Sequence, residues 1–187
     1  MAIENFVFVP LKADTEIKPF KCEDKDLSGF LVDDAKKYME ELMAVTYLIE
    51  SRERDKTIAY FSLLNDKISY DPQNRSIWNK LNRMISSPKR RKHYPAIKIG
   101  RLAVSEDYRH IGLGWDIINM IKYISTHNNR SGCRFVTVDA YPNAVEFYKK
   151  CGFSHFSGDG RNGDTVSLYF DLKRFVRGYK YINSPLE

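Results

Sequence analysis

Arg101-Leu102-Ala103-Val104-Ser105-Glu106-Asp107-Tyr108-Arg109-His110-Ile111-Gly112-Leu113-Gly114-Trp115 passes from β-forming residues, through a polar loop, into a helix. Upstream, Ile97 to Val104 reads as a strand that ends at the loop. Downstream, Gly112 and Gly114 open a helix reaching about His127. Its apolar face is Ile117, Ile118, Ile121 and Ile124. A helix leaves its first backbone N–H groups without intrahelical partners, and its dipole adds partial positive charge at that end. A strand–loop–helix junction of this kind therefore attracts anions, phosphate groups above all. Glycines let the backbone come close to such a group. Arg109 adds a full positive charge. Neither GxxxxGK[ST] nor GxGxxG is present, so the loop is neither a P-loop nor a dinucleotide-binding fingerprint. What remains is Arg109-x-x-Gly112-x-Gly114, which by itself also suits a plain turn before a helix.

Outward from this segment, strands and helices alternate. Phe6 to Leu11 predicts a short strand stopped near Pro10. A helix is expected from about Asp26 to Met43, with Leu27, Phe30, Leu31, Ala35, Tyr38 and Leu42 on one apolar face and Asp24 or Asp26 as its cap. Ala44–Ile49 and Thr57–Leu64 predict a hairpin across the polar turn 51–56. The stretch from about Lys67 to Pro95 breaks the rhythm. It reads as an insertion or long loop containing a short helix, Ser76 to Ile85. Arg134 to Val138 predicts another strand. Pro142 suits the first position of a helix from Asn143 to Lys150, and Gly152 stands where a left-handed cap is common. Two last strands are expected around Phe153–Phe156 and Val166–Leu172, separated by a turn over 157–164. This order predicts one domain over residues 1–187, with a single sheet and helices packed on its faces.

At 187 residues, 43% hydrophobic and 29% charged, the chain has a globular composition. Cys22, Cys133 and Cys151 are scattered and odd in number, so reduced thiols in a cytoplasmic protein are expected. The N-terminus lacks the pattern of a secretory signal, and no apolar run is long enough to span a bilayer. His93, His110, His127 and His155 lack metal-ligand spacing, so no metal is expected. A net charge of +6 favours a polyanionic partner. The run Lys89-Arg90-Arg91-Lys92 reads as a solvated loop, with nucleic-acid contact as the alternative.

With these residues in hand, the chain resembles the GCN5-related N-acetyltransferases, the GNAT superfamily. Their pyrophosphate motif, Arg or Gln, two residues, Gly, one residue, Gly or Ala, follows a Leu-Ala-Val type of strand. Here it is matched by Leu102-Ala103-Val104 and Arg109-His110-Ile111-Gly112-Leu113-Gly114. A second segment, Asn143-Ala144-Val145-Glu146-Phe147-Tyr148-Lys149-Lys150-Cys151-Gly152-Phe153, is similar to the family's Asn-x-x-x-x-Phe-Tyr-x-x-x-Gly-Phe. The resemblance implies an α/β (mixed α+β) GNAT fold: one central, mostly antiparallel, partly splayed sheet of six to seven strands with helices on both faces.

The resemblance also implies acetyl-CoA as co-substrate. Leu102, Ala103 and Val104 would pair with the pantetheine arm through their backbone. Arg109, His110, Ile111, Gly112, Leu113, Gly114 and Trp115 would hold the pyrophosphate. Asn143 and Phe147 would border the cofactor, and Tyr148 would protonate the coenzyme A thiolate. That role is chemically apt: amine attack on a thioester expels a thiolate, and a neutral tyrosine (pKa about 10) can supply the proton. Among carboxylates near the strand ends, Asp139 is the first candidate for a general base. Glu106 and Asp107 are alternatives, and surface roles suit all three. Trp115 and Asp116 depart from the family pattern. Asp116 brings a negative charge to the first helical turn, a cost to cofactor binding unless its side chain points into water.

A narrower likeness concerns the acceptor. Lys21-Cys22-Glu23-Asp24-Lys25-Asp26-Leu27-Ser28-Gly29-Phe30-Leu31, Ala44 to Leu48, and Leu168-Tyr169-Phe170-Asp171-Leu172-Lys173 are similar to a GNAT branch that includes toxins acetylating the amino acid on charged tRNA. That branch commonly has Cys-Gly where this chain has Cys22-Glu23. The resemblance thus implies a primary amine acceptor, with charged tRNA as the alternative and an antitoxin as an associated partner. A coenzyme A-binding module without turnover is a third reading. Monomer and homodimer both stay open.

Overall fold

The computed structural model describes residues 6–86, 91–127, 131–156 and 161–182. Lys89 and Arg90 of the basic run, and 157–160 of the last expected turn, lie outside the described residues. Packing divides the chain into two compact units, residues 1–65 with 99–121 and residues 66–98 with 122–187. Two long strands, β3 (Thr57–Ser69) and β4 (His93–Val104), contribute to both.

In the first unit the strand order is β1 (Val7–Pro10), β2 (Val45–Glu50), β3, β4. The pairs β1–β2 and β2–β3 are antiparallel, with Val9 opposite Leu48 and Leu48 opposite Tyr60. Gly100 in β4 leaves room for the Leu64 side chain, whose Cδ2 would have to shift if a Cβ stood there. The expected helix over 26–43 is interrupted. It runs as α1 (Lys25–Gly29), a π turn (Phe30–Asp34) and α2 (Ala35–Glu40). Asp24 caps it, its carboxylate accepting from the N–H groups of Asp26 at 2.8 Å and Leu27 at 3.2 Å. The extra residue of the π turn rotates the faces of α2 relative to α1. Phe30, Leu31 and Ala35 pack against Leu48, Tyr60 and Ala103. Tyr38 and Leu42, expected on the same face, are instead exposed.

In the second unit the order is β3, β4, β5 (Phe135–Ala140), β8 (Thr165–Asp171), β6 (Ser154–His155), and β7 (Arg161–Asn162) also pairs with β8. All the β8 pairings are antiparallel, with Phe135 opposite Asp171 and Ala140 opposite Val166. Much of the 67–95 stretch is regular structure. The end of β3, helix α3 (Arg75–Met84) and the start of β4 supply Ile68, Trp78, Leu81, Tyr94 and Ala96, which pack with Phe135 and Tyr169. Arg134 forks onto buried Asp171, with Nη2 donating to Oδ2 at 2.9 Å and Nε lying 2.8 Å from Oδ1. The chain continues past the last expected strand into α6 (Leu172–Ile182). Its start is marked by Asp171, whose Oδ1 accepts from the Lys173 N–H at 2.9 Å. The whole is a mixed α/β fold with an open, largely antiparallel sheet.

Helices α4 (Leu113–Ile124) and α5 (Val145–Lys150) complete the elements. Lys122 of α4 is only 5% exposed. Its Nζ donates to the Cys151 carbonyl at 2.7 Å and lies 4.1 Å from the Phe170 ring centroid. Helix α5 ends in a left-handed cap: Gly152 has φ +88°, its N–H donates to Lys149 O at 2.8 Å, and Phe153 N–H donates to Tyr148 O at 3.1 Å. Helix α2 ends the same way with Leu42 at φ +57°, where the Met43 N–H donates to Tyr38 O at 2.8 Å.

These caps make opposite predictions. Leu42→Gly relieves an exposed left-handed leucine and is expected to stabilise by about 1 kcal/mol. Gly152→Ala strains the backbone and brings a Cβ to 3.2 Å from Phe170 Cε2, so it is expected to destabilise by at least about 1 kcal/mol. Denaturant titration of both variants checks the signs. Burial pushes the Lys122 ammonium down to about 8. Its folded pKa is thus below its unfolded value, and between about pH 8 and about pH 10.4 the unfolded chain binds more protons. Stability should rise with pH in that window, and thermal melts of Lys122→Met should lack that component of the rise.

Candidate cofactor and catalytic site

The first unit holds Leu102, Ala103, Val104 and Arg109 to Trp115; the second holds Asp139, Asn143, Phe147 and Tyr148. In β4, Ala103 is buried among Phe30, Leu31 and Tyr60, while its neighbours Leu102 and Val104 are half-exposed. Alternation along the strand explains the difference. Past Val104 the chain is pinned by two backbone bonds, from Ser105 N–H to Ile58 O at 2.7 Å and from Glu106 N–H to Lys21 O at 3.2 Å. A single 3₁₀ turn over Glu106–Tyr108 comes next. His110 at φ +62° and Gly112 at φ +86° then turn the backbone twice through the left-handed region. Nothing lies within 4 Å of where a Cβ on Gly112 would stand, so its glycine serves the backbone turn and leaves open space beside it.

The first backbone bond into α4 runs from Asp116 N–H to Gly112 O at 3.2 Å. The N–H groups of Leu113, Gly114 and Trp115 precede it and have no partner one turn back. Leu113 is buried and anchors the turn, while Ile111 and Trp115 are each 51% exposed. Amides without a helical partner and the positive end of the dipole together favour an anion at such a helix start. Asp116 is 8% exposed, so the reading in which its side chain points into water does not hold. Arg109 is not free: its Nη1 donates to Glu23 Oε2 at 2.5 Å. Sequence reasoning did not find this pair, because it joins residues far apart in the chain.

In the second unit a 3₁₀ turn, Pro142–Ala144, leads into α5 and carries exposed Asn143. Tyr148 lies on the inner side of α5 and is 7% exposed. Its ring meets Phe153 edge-on at 5.4 Å and Phe147 at 5.1 Å. Burial, aided by nearby Cys151, raises its pKa well above the ordinary phenol range, so it stays a protonated donor. Asp139 in β5 pairs with Lys98 and accepts from Ser167 Oγ at 2.7 Å. Burial pushes its carboxyl up, but the Lys98 and Ser167 bonds outweigh this and hold its pKa below the usual carboxylate value. Lys122 is the buried cation that sequence reading passed over. Its signal was there, four residues after Ile118 on the apolar face of α4. Among the described residues no cluster of three or more His, Cys, Asp or Glu is arranged to hold a metal ion, and no helix is long and apolar enough to cross a membrane.

Comparison with known proteins adds a second line of evidence. Residues 80–168 match the acetyltransferase (GNAT) domain family. No curated protein matches the sequence. Among solved structures the chain is similar to AtaTR bound with AcCoA, with a TM-score of 0.74, 18% identity, and coverage of 94% of this chain and 99% of that one. It is also similar to AtaT complexed with acetyl-methionyl-tRNAfMet, with a TM-score of 0.72, 19% identity, and coverage of 93% and 99%. A third is the KacTA–DNA complex, with a TM-score of 0.70, 16% identity, and coverage of 94% and 99%. At these identities the likeness speaks for the fold, and the family match speaks for the chemistry. Residues 80–168, which include the Arg109–Gly114 loop opening α4 and Tyr148 on α5, match a GNAT acetyltransferase domain, and that match together with the shared fold supports an acyltransferase.

Proposed function

We propose that this enzyme moves the acetyl group of acetyl-CoA to a primary amine by direct attack in a ternary complex. The observation that carries the reading is the β4–α4 junction. There three amides ahead of the first α4 bond and the twice-turned backbone at His110 and Gly112 suit a pyrophosphate. In the reaction the amine nitrogen bonds to the thioester carbon, the carbon–sulfur bond breaks, and the sulfur takes a proton. Tyr148 is the proposed donor, since its buried phenol keeps that proton at neutral pH. The amine must also lose a proton. Asp139 is its proposed acceptor for an amine that arrives largely neutral, because Lys98 and Ser167 already hold the carboxylate. An α-amino group, with a pKa of about 7.7–8.0, meets that condition.

A second reading names the amine as the aminoacyl group of charged tRNA. Two observations favour it, the net charge of +6 and the fold shared with AtaT, which is known in complex with acetyl-methionyl-tRNAfMet. Lysine and arginine contacts with phosphate would then supply affinity that falls with salt. In that reading an antitoxin is the expected protein partner, as in the AtaT structure bound to the C-terminus of AtaR. The free thiols of Cys22, Cys133 and Cys151 suit a cytoplasmic setting.

The purified protein should acetylate an amine in a panel of small amines, peptides and bulk charged tRNA, with acetyl-CoA as donor. Tyr148→Phe should lower kcat by roughly 10²–10⁴-fold while leaving coenzyme A affinity unchanged. Transfer to charged tRNA alone would select the second reading. A Tyr148→Phe enzyme with full kcat would remove the tyrosine from the mechanism, and absence of coenzyme A binding would remove the cofactor assignment.

A further inference from the structure

The loop over residues 105–114 is tied to residues 21–23 of its own unit. Glu106 N–H donates to Lys21 O at 3.2 Å, and Lys21 Nζ lies 3.3 Å from Glu106 Oε2. Arg109 Nη1 meets Glu23 Oε2 at 2.5 Å. The segment that presents Glu23 is itself held. Cys22 N–H donates to Ser28 Oγ at 3.1 Å, Ser28 N–H donates to Asp24 O at 3.0 Å, and Asp24 caps α1. The backbone on either side of Glu23 is therefore fixed, and its side chain, 74% exposed, extends to the guanidinium. Arg109 is the full positive charge at the start of the loop, and a carboxylate already occupies it.

We propose that Glu23 is an internal competitor for the cofactor's phosphate groups at Arg109 and so sets how tightly this enzyme holds coenzyme A. The proposal rests on the reading of the Arg109–Gly114 loop as the pyrophosphate site. A guanidinium fork binds a carboxylate and a phosphate through the same donors, so one N–H cannot serve both. A phosphate that takes this Nη1 donor must displace the Glu23 carboxylate, and one held by the remaining N–H groups stands beside its negative charge. The pair lies at the surface, where an ion pair contributes about 0–1 kcal/mol. Its removal is thus expected to tighten coenzyme A binding by up to about fivefold. The residue acts on affinity, so it should raise KM for acetyl-CoA without touching the chemical step.

The test is calorimetric titration of coenzyme A into the wild type, Glu23→Gln, Arg109→Ala and the double variant, with Glu41→Gln as an exposed control for net charge. Thermal melts confirm that each variant is folded. The expected result is a Kd about two- to fivefold lower for Glu23→Gln, no change for Glu41→Gln, a weaker Kd for Arg109→Ala, and no gain from Glu23→Gln in the Arg109→Ala background. An unchanged Kd in Glu23→Gln beside a weakened Arg109→Ala overturns the competition and leaves the cofactor site standing. A gain of equal size in both backgrounds also overturns it, because the effect then bypasses Arg109. If the wild type does not bind coenzyme A, or Arg109→Ala binds as well as the wild type, the pyrophosphate reading itself falls.

Discussion

A helix cannot satisfy its own first amide groups, and in this chain that constraint falls at Leu113, Gly114 and Trp115. Backbone bonds, a buried leucine and two left-handed turns fix the β4–α4 junction that leads into those amides. Ser105 and Glu106 are pinned by backbone bonds to Ile58 and Lys21. Leu113 is buried and seats the first turn. His110 and Gly112 take the left-handed conformations that the reversal requires. The positive end of α4 is a favourable place for an anion, and the proposed phosphate site rests on that.

The second unit holds a neutral phenol in a dry place. Tyr148 is seated by Phe147 and Phe153, and its own carbonyl accepts the Phe153 N–H of the left-handed cap at Gly152. The cap, the aromatic packing and the buried ammonium of Lys122 on the Cys151 carbonyl all fix the same end of α5. Burial raises the phenol's pKa, which keeps the proton in place while lowering its acidity. A phenol kept protonated in this way is what the proposed donor to a departing thiolate requires.

Exposed charges around the loop have consequences that composition does not report. The chain has a net charge of +6, yet Arg109, its one arginine in the phosphate motif, faces Glu23. Asp139, a carboxylate at the expected end of β5, is committed to Lys98 and Ser167. Net charge sets long-range attraction for polyanions, but local pairing decides which side chains meet them.

The sequence by itself determined the order of strands and helices, the Arg109-x-x-Gly112-x-Gly114 loop and the Asn143–Gly152 segment with its tyrosine. These are local matters: alternation, helical spacing, capping residues and glycines at forced turns all act within a few residues. Where the reading departed from the structure, the cause was also physical. The π turn at Phe30–Asp34 shifts the face of a helix by adding a residue that no periodicity announces. Helix α6 continues from β8 without a break because Asp171 serves both as a strand end and as a cap. Only the tertiary structure decided that Lys122 is buried against Cys151, that Asp139 is paired, that Asp116 is withdrawn from water and that Glu23 reaches Arg109. Each is a meeting of residues distant in the chain or a question of burial. Such energies depend on which groups packing brings within a few ångströms, and one-dimensional spacing carries no record of that.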